Sequence, residues 1–211
     1  MKTDQLIQGL IADLPTQSGS VAKAITVSVS LSVIVSLTAM LLWFGLRPDI
    51  GEAMHSAPFW VKAGYALVIG TAGLFALERL GRPGASATPS FVIVSVAVAT
   101  LAIAGVTEIV MAPPGDVSQL WLGASSSICS WAIVGLSIPL LIAAFIALRQ
   151  LAPTQFAIAG TAAGLMAGGY AACIYSLHCT EYGLSFLAIW YTLGMLIVAA
   201  VGALLSGLLR W

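Results

Sequence analysis

The chain has 211 residues, of which 60% are hydrophobic and only 8% charged. A soluble domain carries about 25% charged residues, so this chain cannot clothe a water-facing surface and reads as a membrane protein. Its formal net charge is zero and it has no basic run, which argues against direct nucleic-acid binding; its three cysteines are too few for a disulfide-dense scaffold.

The first element is a short amphipathic helix within residues 3–14, TDQLIQGLIADL. Leu6, Ile7, Leu10, Ile11 and Leu14 fall on one stripe at helical spacing, and Thr3 or Asp4 can cap it. Pro15 and the polar TQSGS run end the helix and form a flexible link to the first long apolar run. The stripe suits either an inner leaflet or a partner's groove. Asp4 and Asp13 make it a poor match to an anionic leaflet. Residues 1–20 therefore read as a cytoplasmic tail and 21–211 as a membrane domain.

The membrane domain holds six apolar runs: Ile25–Leu46, Trp60–Leu77, Phe91–Ile109, Ile128–Leu148, Phe156–Leu177 and Leu184–Leu209. Each has roughly the 17–25 residues that a bilayer core demands. Backbone groups in lipid must pair within their own segment, so the runs are helices. The expected fold class is all-α, a polytopic six-transmembrane-helix bundle with short loops. The first run is too long for a signal-peptide core and lacks a small-residue cleavage site after it.

With the N-terminus inside, Lys2, Lys23, Arg79, Arg82, Arg149 and Arg210 face the cytoplasm, and only Arg47 and Lys62 face out. That satisfies the positive-inside rule and puts both termini in the cytoplasm. Lys62 is expected to snorkel outward, and Glu108 lies near an outer end. Ionisable groups near the midplane are otherwise scarce, which counts against ion pumps and proton-coupled carriers. In the fifth run Gly160, Gly164 and Gly168 form a ladder that lets another helix approach closely, echoed weakly by Gly202 and Ser206. Pro139 marks a kink in the fourth.

The cysteines divide by depth. Cys173 lies about 9 Å along a helix from Cys179 and reads as a small core residue. Cys129 and Cys179 share the outer boundary, on runs joined by a short inner loop. Neighbouring helix axes are about 8–10 Å apart and a disulfide needs Cα atoms about 5.5–6 Å apart, so the two are within reach of one another. Residue chemistry alone leaves three readings: a structural disulfide or inert thiols, a redox- or metal-responsive pair, or a soft N/S site for zinc, cadmium or a similar ion completed by His178. No catalytic residue stands out, no cofactor is required, a soft metal ion such as zinc or cadmium could bind transiently at the thiols, and the chain is not read as an enzyme.

The segments APTQFAIAGTAAGLMAGGYAACIYSLHCTEYGLSFLAIWYTLGM and LLRW, with the opening MKTDQLIQGLIADL, resemble the NrsF family of negative regulators of a sigma-F type extracytoplasmic-function sigma factor. The resemblance implies an inner-membrane anti-sigma factor. It would hold its sigma factor at the cytoplasmic face and release it when heavy metals or oxidants are sensed. The family's two sensing cysteines correspond to Cys129 and Cys179; Cys173 has no counterpart. A small transporter or channel for metal ions or small solutes is the competing class, and it needs polar groups along the bundle axis that the sequence barely offers. A quinone-linked thiol oxidoreductase would need a second dithiol to relay electrons.

Overall fold

A computed structural model describes residues 18–82, 84–151 and 153–209. The expected tail helix with its stripe Leu6, Ile7, Leu10, Ile11 and Leu14 lies outside the described residues. Every regular element among them is helical. In chain order these are α1 (Ser18–Trp43), α2 (Ile50–Ala53), α3 (Ala57–Leu80), α4 (Thr88–Met111), α5 (Val117–Leu122), α6 (Ser126–Arg149), α7 (Phe156–Tyr175), α8 (Leu184–Phe186) and α9 (Thr192–Leu204). A π-helical turn, Leu187–Tyr191, joins α8 to α9, and a 3₁₀ turn, Leu205–Leu209, succeeds α9.

Five helical segments are long and apolar enough to cross a membrane: Ala57–Leu80, Thr88–Met111, Val117–Arg149, Phe156–Tyr175 and Leu184–Leu209. The expected first span falls on α1, a helix of 26 residues whose described apolar stretch is Val27–Trp43. Two short helices, α2 and α5, occupy segments that the sequence suggested were plain loops.

The bundle is organised around α7. Its sequence FAIAGTAAGLMAGGYAACIY is mostly small, and most of its residues are buried. Small residues let neighbours come to backbone distance. On one side α3 crosses it: a Cβ at Gly70 would stand 2.9 Å from the Tyr170 ring, and one at Gly73 would stand 2.8 Å from the Cα of Met166. On the other side the Gly160–Gly164–Gly168 ladder seats α9. Gly160 meets Gly202 and Ser206, Gly164 lies where a Cβ would be 2.5 Å from the Cα of Ala199, and Gly168 lies 3.1 Å by the same measure from Met195. The ladder's partner is therefore the last helix. Helix α6 packs along α7 as the expected hairpin neighbour, α1 packs mainly on α6, and α4 packs on α3 and α8. Pro139 sits inside α6. The Ser36 hydroxyl of α1 donates to the nearby carbonyl of Leu136 (2.9 Å).

Candidate functional site

The polar groups of the bundle gather at one end, around the 176–183 loop between α7 and α8. This loop is short and presents backbone carbonyls outside any helix, so they need partners from elsewhere. Partners come from several directions. The backbone N–H of Arg47 donates to the carbonyl of Leu177 (3.2 Å). The Arg47 guanidinium donates to the carbonyl of Cys179 (3.1 Å). From α3, the Lys62 ammonium donates to the same Cys179 carbonyl (3.0 Å) and also to the carbonyl of Glu181. The Glu181 carboxylate accepts from the backbone of Ala124 (2.8 Å) and from Ser125 Oγ (3.3 Å), stapling the loop to the start of α6.

Two glycines make this geometry reachable. Gly45, at φ +73°, turns the chain out of α1 so that Arg47 swings over the loop. Gly123, at φ +56°, opens the way to α6. A Cβ there would stand 2.7 Å from the Glu181 carboxylate, so both backbone and space require glycine.

The two cations at the Cys179 carbonyl differ in how they are balanced. Arg47 is 2% exposed and forms a bidentate pair with Asp49, at 2.8 and 2.7 Å. It also donates to the Tyr182 hydroxyl and lies 5.0 Å from that ring. The Arg47 guanidinium pulls the Asp49 carboxyl down from 3.8 to about 2, and Asp49 in turn raises the guanidinium's proton affinity. Lys62 is 3% exposed, and among the described residues no carboxylate pairs with it. Its charge faces carbonyl oxygens, the Tyr191 ring at 5.8 Å, and the two thiols. The expectation that Lys62 would snorkel outward is corrected: the carbonyls of Cys179 and Glu181 take the ammonium and it stays buried.

Cys129, in the first turn of α6, and Cys179, in the loop, are both free thiols and both buried, at 0% and 2% exposed. They lie within hydrogen-bonding reach of each other. The Cys129 thiol and the Lys62 ammonium hold the Cys179 thiol below the ordinary thiol range, against the opposing effect of burial. The Tyr191 hydroxyl, from the π-helical turn, stands beside Cys179. It is buried, and among the described residues it has no partner of hydrogen-bond geometry.

The structure brings Cys129 and Cys179 together and leaves Cys173 apart, half-buried on α7. It does not bring His178 to them as a third metal donor. No group of three His, Cys, Asp or Glu side chains suited to a metal assembles among the described residues. Instead His178 Nδ1 pairs with the carbonyl of Gly45 (3.1 Å), and its ring packs on Phe44 and Tyr175. Adjacent residues on this turn point apart, which separates His178 from Cys179. Lys62, Arg47, Glu181 and Tyr191 were missed as members of the site. For Lys62 the signal was present, since an ionisable residue inside an apolar run is a functional-site hypothesis by default.

One further polar contact completes this end. The Glu108 carboxylate of α4 accepts from the backbones of Leu184 (3.0 Å) and Ser185 (2.8 Å) and from Ser185 Oγ (2.8 Å). It caps the N-terminus of the last helical segment from across the bundle, where a negative charge meets the helix dipole favourably.

The family model described as "Negative regulator of sigma F", NrsF, matches residues 10–211. The chain is 38% identical over 214 residues to the anti-sigma-F factor NrsF of Caulobacter vibrioides, covering all of both chains. It is 38% identical over 216 residues to the probable anti-sigma-F factor NrsF of Azospira oryzae, again over the full length of both. No solved structure matches. Likeness that runs the whole length of the chain, in a bundle of long apolar helices, makes this protein a member of the NrsF family of negative regulators of sigma F.

Proposed function

We propose that this protein is an inner-membrane anti-sigma factor that holds an extracytoplasmic-function sigma factor at its cytoplasmic face and releases it when Cys129 and Cys179 react with an oxidant. The observation that carries the reading is the pair itself: two free thiols from separate elements, both buried and beside one another, at the hub of a loop tied to Arg47, α3 and the start of α6. Six helices cross the bilayer, α1 among them. The thiol end faces the periplasm, because the opposite end holds Arg79, Arg82 and Arg149, and the periplasm is the oxidising side.

Burial limits the reagent to a small one such as a peroxide. The Cys179 thiolate attacks one peroxide oxygen and becomes a sulfenic acid as hydroxide leaves. The Cys129 sulfur then displaces water from it to form the disulfide. Two electrons pass from the thiols to the peroxide, which is reduced to water. A soft metal bound by the two sulfurs has less support, since no third donor of the usual kind stands by among the described residues. Closing the bond pulls the loop toward α6, and α7 carries the strain to α3 and α9 at its close contacts. The tail stripe Leu6, Ile7, Leu10, Ile11 and Leu14 and the inner loops, after α3 and before α7, then release the sigma factor.

The test is co-purification of the sigma factor with the full-length protein before and after peroxide. Release from the wild type and retention by the Cys129→Ser, Cys179→Ser double variant are expected. Equal release from both sinks the sensing role, and absence of any co-purified sigma factor sinks the anti-sigma role.

A further inference from the structure

We propose that Lys62 is the positioning residue of the thiol pair: from α3 it fixes the Cys179 loop through two carbonyl oxygens and supplies the positive charge that a reacting sulfur needs. The inference rests on the reading of Cys129 and Cys179 as a reactive pair, and it adds the source of their reactivity.

Three observations converge. Lys62 is buried without a carboxylate among the described residues. A lone ammonium withdrawn from water is costly, and a solely structural anchor for two carbonyls would be served by a neutral donor. Second, Arg47 already donates to the Cys179 carbonyl and is balanced by Asp49, so that carbonyl does not by itself call for a second cation. Third, the Tyr191 hydroxyl is buried beside Cys179 with no partner of its own among the described residues. An orphaned O–H next to a sulfur is satisfied once that sulfur carries negative charge and becomes a strong acceptor.

The groups facing Cys179 are Cys129 from α6, Lys62 from α3, Tyr191 from the π-helical turn, Tyr175 from α7, and Arg47 and Glu181 from the flanking loops. Tyr175 and Tyr191 are neutral at ordinary pH. Asp49 balances Arg47, and the Glu181 carboxylate is turned to Ala124 and Ser125. Lys62 is therefore the uncompensated charge, and one thiolate balances it. When the disulfide forms, that balance is lost and the ammonium is left without a counter-charge. The loop is then pressed to open, which gives oxidation a consequence beyond the bond.

The experiment tracks disulfide formation between Cys129 and Cys179 in the full-length protein in lipid nanodiscs, using hydrogen peroxide as the oxidant and counting free thiols after quenching, across a range of pH. Wild type, Lys62→Met and Lys62→Arg are compared. Lys62→Met is expected to move the rate profile up by at least about one pH unit, slowing the reaction about tenfold at neutral pH, while Lys62→Arg recovers most of the rate. If Lys62→Met does not fold, Lys62→Gln, which keeps a donor but no charge, takes its place. A folded neutral variant with the wild-type pH profile overturns the role of Lys62 and leaves the thiol reading intact. Failure of the wild type to form the disulfide at any pH overturns both.

Discussion

The two ends of this bundle treat their charges in opposite ways. At the thiol end Arg47 and Lys62 are buried and each makes several bonds, and Glu108 and Glu181 are spent on backbone N–H groups. At the other end Arg82 and Glu78 form an i,i+4 pair with side chains 71% and 43% exposed, and Arg149 donates to the carbonyl of Leu208 (3.1 Å) at an exposed position. The first pattern fixes a geometry, since each buried group is costly to leave unpaired. The second fixes little and leaves charged side chains free for a partner. The two ends are built from the same few residue types, distinguished by burial, and on the proposed function the first would be the sensor and the second the docking surface.

Substitutions at the two ends should therefore differ in size. Arg47→Met removes the donor shared by the Cys179 carbonyl and Tyr182, and should cost about 3 kcal/mol, read as lowered thermal stability in micelles. Glu108→Gln keeps one acceptor oxygen but loses the charge facing two N–H groups. About 1–2 kcal/mol is expected, with faster hydrogen exchange confined to residues 184–191. Acid should loosen the thiol end selectively. The folded pKa of Asp49 is depressed from 3.8 to about 2, so its contribution is complete above about pH 4 and disappears as pH falls toward 2. Asp49→Asn should flatten the melting temperature over that interval; an unchanged slope would remove Asp49 as its cause. At the opposite end Arg82→Ala should cost under about 0.5 kcal/mol, and it should weaken sigma-factor capture more than it changes melting. A large loss of stability there would erase the contrast between the ends.

Hydropathy made the long helices legible because bilayer thickness sets their length, and the glycine spacing in α7 announced a close contact. Cys129 and Cys179 could be paired because depth and hairpin connectivity are both visible in the chain. Burial of Lys62 was not legible. Hydropathy reports that a lysine costs energy in a span but not that two carbonyls of a distant loop await it. Glu108 was invisible as a cap for the same reason: its partners, Leu184 and Ser185, lie 76 and 77 residues away. The ladder's partner was open as well, since small residues invite a neighbour without naming it, and α9 answers with Gly202, Ala199 and Met195. The short α2 and α5, and the π-helical turn that carries Tyr191, leave no periodicity long enough to read.

The seam between α7 and α9 also limits the kind of motion that can pass through the protein. Glycine seats on α7 recur every four residues, about 6 Å along the axis, and backbone of α9 rests against them. A displacement of the Cys179 loop smaller than that spacing leaves each backbone in its own seat. Helix α9 thus keeps its notch, and with few side chains in the seam to change rotamer, little of the displacement is absorbed. On the proposed function the far side would receive a lever stroke, a small tilt about a fixed fulcrum that grows with distance from the thiols.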